Sequence, residues 1–230
     1  MVPNSPALAL GRHETGARDL LVEVVQSRHD RAAEAHEVSG SRNSMGFGTQ
    51  WRDLLADVHE AFRARGFQGQ TVTPAGYKIP IVRDCLVYVW RLPVTADPSR
   101  FASSPSKINL FDASPPNPAL FEPDFMGGTE PANEVSREAE LESVVRAGGD
   151  TMPLVLVMVS SSPRQLQSIE WAVAELNVET GEVTLHGREV IWQPEPAAGV
   201  EVSDFDSFDS GPPEGPTIEP QEQEETEPDA

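Results

Sequence analysis

The sequence predicts an α+β or α/β domain built on a mixed central β-sheet of about five or six strands. The main evidence is the longest apolar run, residues 152–162, in which both pleat faces are apolar. Such a run is typical of a strand buried on both sides, and it is much shorter than the roughly 20 residues that cross a bilayer. Two segments with hairpin patterns, residues 79–92 and 168–192, supply strands before and after it.

The first predicted helix covers residues 14–38, where apolar side chains recur at helical spacing. These side chains are Leu20, Leu21, Val24 and Val25. His29 and His36 are seven residues apart on one face, which is too far apart for one metal ion, and we expect both to be solvated.

Two more helices are predicted to cover the sheet. Residues 50–65 carry one apolar stripe that includes Trp51, with Thr49 as the expected N-cap and Gly66 as the stop signal. Residues 133–147 have helical periodicity and lead directly into the apolar run, which predicts a crossover helix.

Strand alternation in the first hairpin separates two faces. Arg83 and Asp84 suit its tight turn, and Tyr88 and Trp90 share one face while the valines between and before them share the other. Residues 107–111 are a candidate for a further short strand. The proline-rich residues 112–131 are expected to lie packed across the domain, because long segments without regular structure are uncommon inside one.

The apolar run ends in three serines, residues 160–162. Ligands in open α/β sheets favour the carboxyl ends of strands, so these serines are ligand candidates; alternatively they cap a short helix that starts at Pro163. The second hairpin then turns at residues 177–182.

Composition divides the chain into three parts. No Lys or Arg follows Arg188, and residues 195–230 contain 12 acidic residues among Pro, Ser and Gly, which predicts a disordered acidic tail. Residues 1–11 are expected to be a flexible N-terminus, and residues 12–194 a single domain.

The remaining composition indicates a bacterial cytoplasmic protein. Cys85 is the single cysteine, so no intramolecular disulfide can form, and its strand context predicts a small buried apolar residue. The N-terminus lacks the pattern of a secretory signal, and an excess of Arg over Lys, 15 to 2, is typical of high-GC bacteria. No membrane association and no cofactor are expected.

Charge restricts where nucleic acid could bind. The net charge is −20, but residues 1–110 carry 13 basic and 11 acidic residues. Phosphate binding needs a positive surface, so only the N-terminal half could provide one. A glycine-rich segment before the second helix is the anion-binding candidate, since backbone N–H groups at a helix start attract phosphate. The candidate residues are Arg42, Asn43, Gly46, Gly48, Thr49 and Arg52. The alternative is a helix connection that needs glycine only for turning.

The acidic tail carries the second candidate site. Aromatic and acidic residues alternate in it, and a purely solvating tail has no use for phenylalanine. The docking candidates are Asp204, Phe205, Asp206, Phe208 and Asp209. They would order on a partner with a basic and apolar groove; alternatively the phenylalanines pack on the domain itself, or the tail shields a basic surface.

These features favour a non-enzymatic protein-interaction module, a subunit of a larger cytoplasmic assembly. The alternative is a nucleic-acid-processing enzyme or accessory protein that uses the glycine-rich segment together with Arg63 and Arg65. A restriction-nuclease type of metal site lacks its Glu-x-Lys strand, since both lysines, Lys78 and Lys107, precede the candidate Asp124.

Overall fold

The computed structural model of this chain describes residues 2–40, 47–48, 51, 53–93, 96–115 and 151–195. Met1–Pro194 forms one compact unit. The predicted crossover helix, most of the proline-rich segment and the acidic tail lie outside the described residues.

In the described part of the chain, six strands form one sheet in the order β1 to β6. They are β1 Gly69–Val72, β2 Tyr77–Val82, β3 Cys85–Arg91, β4 Leu154–Ser161, β5 Leu166–Leu176 and β6 Val183–Trp192. The pair β3 and β4 is parallel, while the other neighbouring pairs are antiparallel. The predicted mixed sheet is therefore confirmed, with the apolar run as an inner strand.

Both predicted hairpins are present, and both turns lie where the sequence places them. Arg83 and Asp84 join β2 to β3 with φ angles of 48° and 58°, the left-handed pair that a two-residue hairpin turn requires. In the second hairpin, Asn177 N–H donates to the carbonyl of Glu182 at 2.8 Å, and Gly181 has a φ of 71°.

The α-helices with described bounds are α1 Pro6–Leu10, α2 Glu14–Val38, α3 Leu54–Ala64 and α4 Pro105–Ile108; Phe47 and Gly48 are also helical. The bounds of α2 match the prediction. Helix α3 starts four residues later than predicted, with Asp53 at its N-cap position, so the assignment of Thr49 as its N-cap is wrong. Its end is as predicted, because Gly66 adopts a φ of 89° immediately beyond it.

The sheet is covered differently on its two faces. Helices α2 and α3 pack on the face that carries Val87, Val89 and the odd-numbered valines of β4. The opposite face carries Tyr88, and Phe101 and Leu110 from residues 96–115 pack against it. The predicted separation of Tyr88 and Trp90 from the neighbouring valines is thus confirmed.

Two local predictions are wrong. Residues 107–111 form no strand: Pro105–Ile108 is a helical turn, because Ser104 and Pro105 favour a helix start. Ser162 caps no helix either. Its hydroxyl accepts from the Gln165 N–H at 3.1 Å, which closes the short connection from β4 directly into β5.

The N-terminal segment contains a packed helix. Ala9 and Leu10 are fully buried, and the buried Cys85 thiol donates to the Ala9 carbonyl at 3.4 Å, so Cys85 is the buried residue that was predicted. Gly187 of β6 also meets this segment, because a Cβ there would lie 2.6 Å from the Asn4 carbonyl oxygen.

A pair of glycine substitutions tests this packing. Gly187→Ala is expected to lower the free energy of unfolding by about 2 kcal/mol. Alanine is strained at a φ of 60°, and its Cβ would displace the N-terminal segment. Gly181→Ala has the same kind of φ but open space around it, so about 1 kcal/mol is expected. Urea denaturation measures both. Equal losses would contradict the packing of the N-terminal segment on β6.

Candidate anion-binding site

The carboxyl ends of the two parallel strands meet at one edge of the sheet. Arg91 is the last residue of β3, and Ser161 is the last residue of β4. Because neighbouring parallel strands run in the same direction, their carboxyl ends place these side chains together, as in the ligand crevices of open α/β sheets.

The Arg91 guanidinium is held by Ser161 through two hydrogen bonds. Its Nε donates to Ser161 Oγ at 2.9 Å, and its Nη2 donates to the Ser161 carbonyl at 3.2 Å. Burial lowers the pKa of Arg91, but a guanidinium stays charged at every physiological pH. The third nitrogen, Nη1, makes no hydrogen bond within the described residues.

Aromatic side chains surround this cation. The guanidinium carbon lies 5.0 Å from the ring centroid of Phe47 and 5.7 Å from that of Trp51. Both rings are buried, and their centroids are 6.0 Å apart in an edge-to-face arrangement. The indole Nε1 of Trp51 is also buried without a hydrogen-bond acceptor. Such donors normally have a partner, so a bound acceptor would satisfy this one.

Gly48, a residue of the glycine-rich segment, lies beside Arg91. A Cβ on Gly48 would lie 3.6 Å from Arg91 Nη1, so the backbone passes beside the nitrogen that Ser161 does not bind. One of the six predicted anion-binding residues therefore lies at the cation. The other five, Arg42, Asn43, Gly46, Thr49 and Arg52, lie outside the described residues.

His29 completes the wall of the site, which corrects the expectation that it is solvated. Its side chain is buried, and its Nε2 lies 3.2 Å from the Ser162 carbonyl oxygen. Since a carbonyl oxygen only accepts, this contact is a hydrogen bond when Nε2 carries a proton; Nδ1 lies 3.4 Å from the Asp30 carboxylate. His29 also packs against Phe47 and Trp51, each at 6.1 Å between ring centroids. It therefore connects α2 to the residue that follows Ser161.

The nearby arginines of α2 are already paired with carboxylates. Asp57 of α3 accepts from Arg28 Nε at 2.7 Å and from Arg31 Nη2 at 2.9 Å, and Arg28 Nη1 lies 3.7 Å from Asp53. These bonds hold α2 against α3. Arg91 differs from them, because no carboxylate in the described part of the chain lies within ion-pair distance of it. We call Arg91, Phe47, Gly48, Trp51, His29 and Ser161 the Arg91 site.

The remaining predicted candidates are not brought to this site. Arg63 and Arg65 are exposed near the end of α3, and Arg65 Nη1 donates to the Ala61 carbonyl at 3.4 Å within the same helix. The docking candidates Asp204, Phe205, Asp206, Phe208 and Asp209 lie outside the described residues. The sequence analysis did not identify Arg91 and His29 as binding residues. The position of Arg91 at the end of a predicted strand was the one feature that could have indicated it.

The chain matches no known protein-family model, no curated protein and no solved structure. Within the described ranges, no group of three His, Cys, Asp or Glu side chains is placed to hold a metal ion. Nor is any helix in those ranges both long and apolar enough to cross a membrane.

Proposed function

We propose that this protein is a non-enzymatic interaction module that binds an oxyanion group of a partner protein at the Arg91 site. The observation that carries the proposal is the Arg91 guanidinium. It is half-buried among aromatic rings, oriented by Ser161, and has no carboxylate partner among the described residues. A fixed guanidinium suits the planar, bidentate geometry of a carboxylate or phosphate.

The charge pattern supports a discrete oxyanion rather than a nucleic-acid backbone. A nucleic-acid interface uses several cations along a surface, and its affinity comes from many phosphate contacts. Here Arg28 and Arg31 are paired with Asp57, and the chain as a whole carries a net charge of −20. The Arg91 guanidinium is half-buried and oriented by Ser161, so it suits recognition of a single group.

The acidic tail supplies the second contact in this proposal. Its alternating carboxylates and phenylalanines, Asp204 to Asp209, suit a segment that orders on a partner surface with basic and apolar character. Two contacts on one partner raise the overall affinity above that of either contact alone, because the second binding event becomes intramolecular.

Changing Phe205 and Phe208 to Ala is expected to reduce capture of the partner by about tenfold, since each substitution removes an apolar anchor. The measurement is affinity capture from native lysate, quantified by mass spectrometry. The melting temperature should not change.

A control variant replaces Val202 and Ile218, apolar tail residues outside the motif, with Ala. It should capture the partner as the wild type does. Capture of nucleic acid in place of a protein, increased by removing residues 195–230, would contradict the interaction-module proposal and indicate that the tail shields a basic surface.

A further inference from the structure

A cavity lies on the other face of β3, away from the Arg91 site. It has a volume of about 300 Å³ and is lined by Val72, Tyr77, Tyr88, Ser104, Ser106 and Lys107. This volume is at the lower end of the range for small-molecule sites. Its walls come from β1, β2, β3 and the segment around α4.

Lys107 supplies a cation to this cavity. Its ammonium nitrogen lies 4.4 Å from the ring centroid of Trp90 and 4.8 Å from that of Phe101. These ring faces hold the side chain in place through cation–π attraction. Partial burial lowers the pKa of Lys107, and no carboxylate among the described residues forms an ion pair with it.

Tyr88 supplies an unpaired donor beside this cation. The residue is 6% exposed, and its hydroxyl makes no hydrogen bond in the described structure. Burial, followed by the neighbouring Tyr77, raises the pKa of Tyr88 to about 12, so the phenol is neutral and able to donate at physiological pH. The hydroxyl oxygen is not among the buried polar atoms that lack a partner, and Tyr88 lines the cavity, so the hydroxyl is accessible to donate to an acceptor bound there.

The cavity wall is fixed by a contact between distant segments. Asn109 Nδ2 donates to the Thr73 carbonyl at 2.9 Å, which ties the residues after α4 to the turn between β1 and β2. Phe101 packs edge-to-face against Tyr88, with 5.3 Å between ring centroids. The two polar groups therefore lie on a packed surface rather than on a loose loop.

We propose that this cavity, here called the Lys107 cavity, binds a small organic carboxylate. The one ammonium group in the lining balances the single charge of a carboxylate, and the Tyr88 hydroxyl adds a donor, whereas a phosphate dianion calls for more positive charge. Val72 provides an apolar wall for the body of the ligand, and Ser104 and Ser106 add hydroxyls at the cavity lining. This site is separate from the Arg91 site, since Tyr88 and Arg91 point to opposite faces of β3.

The test measures binding of benzoate, butyrate and phenyl phosphate to the full chain by saturation-transfer NMR. Benzoate or butyrate is expected to bind, and Lys107→Gln should weaken binding at least about tenfold through loss of the charge-assisted contact. Tyr88→Phe should weaken it severalfold. The matched control is Lys78→Gln, because Lys78 is the other lysine of the chain and is exposed.

A second measurement uses the unmodified protein and so does not depend on how a variant folds. The two lysines are labelled with an amine-reactive reagent and quantified by mass spectrometry, and benzoate or butyrate should slow labelling of Lys107 but not of Lys78. Three outcomes would overturn the proposal: no ligand protects Lys107, the Lys107→Gln protein binds like the wild type, or phenyl phosphate alone binds through Lys107.

Discussion

An Arg91→Gln protein is expected to fold normally and to bind its partner at least about a hundredfold more weakly than the wild type. Glutamine can keep a hydrogen bond to Ser161 but carries no charge for the partner's oxyanion. Removing one member of a desolvated, hydrogen-bonded charge pair typically costs 2–5 kcal/mol or more, and a hundredfold corresponds to about 2.7 kcal/mol. The partner isolated by affinity capture serves as the ligand, and biolayer interferometry measures the two dissociation constants.

Two controls separate recognition from folding in this experiment. Arg100→Gln removes an exposed arginine elsewhere in the chain and should leave the dissociation constant unchanged. Arg91→Lys keeps the charge but cannot make both contacts to Ser161, so intermediate affinity is expected. If Arg91→Gln binds like the wild type while its melting temperature is normal, the guanidinium is structural and the proposed function has lost its site.

Much of the sheet could be predicted because short-range patterns determine it. The apolar run has no polar face in either pleat direction, so only an inner position buries it, and β4 has that position. Arg83 and Asp84 stand between two apolar segments, where a two-residue turn was the simplest connection. Residues 107–111 were predicted as a strand from their own residues alone. Ser104 and Pro105 just before them favour a helix start, and a helical turn forms there instead.

The candidate site was harder to predict because its parts are far apart in sequence. His29, Phe47, Arg91 and Ser161 come from four segments, and their contacts depend on the parallel pairing of β3 with β4. Nothing local reveals that pairing, since the connection between these strands is long. Helical spacing placed His29 and His36 on one face of α2 but could not show that the face turns towards the sheet. The glycine-rich segment was found from composition. Its proposed role depends on the Arg91 cation, which lies 43 residues after Gly48 in the sequence.

The pairing of α2 with α3 leads to the largest expected loss of stability. Asp57 is the shared acceptor for Arg28 and Arg31, and the Arg28 side chain is only 12% exposed. Asp57→Ala removes the closest carboxylate of Arg28 and keeps the longer contact to Asp53 at 3.7 Å, so a largely buried guanidinium loses its main counterion. Breaking a buried pair from one side usually costs 3–5 kcal/mol, and because Asp57 is 22% exposed we expect about 3 kcal/mol.

Asp53→Ala is the matched control for this change, since Asp53 is 69% exposed and makes only the longer contact to Arg28. Exposed ion pairs contribute little, so a loss below about 1 kcal/mol is expected in urea denaturation. Replacing Arg28 by Met together with Asp57→Ala should recover part of the loss, because the buried guanidinium that depends on Asp57 is then removed as well. Losses below about 1 kcal/mol for both Asp53→Ala and Asp57→Ala would show that the helices are held by their apolar contacts alone. His29 of the same helix, α2, is part of the Arg91 site. The geometry of that site would then not depend on the ion pairs of Asp57.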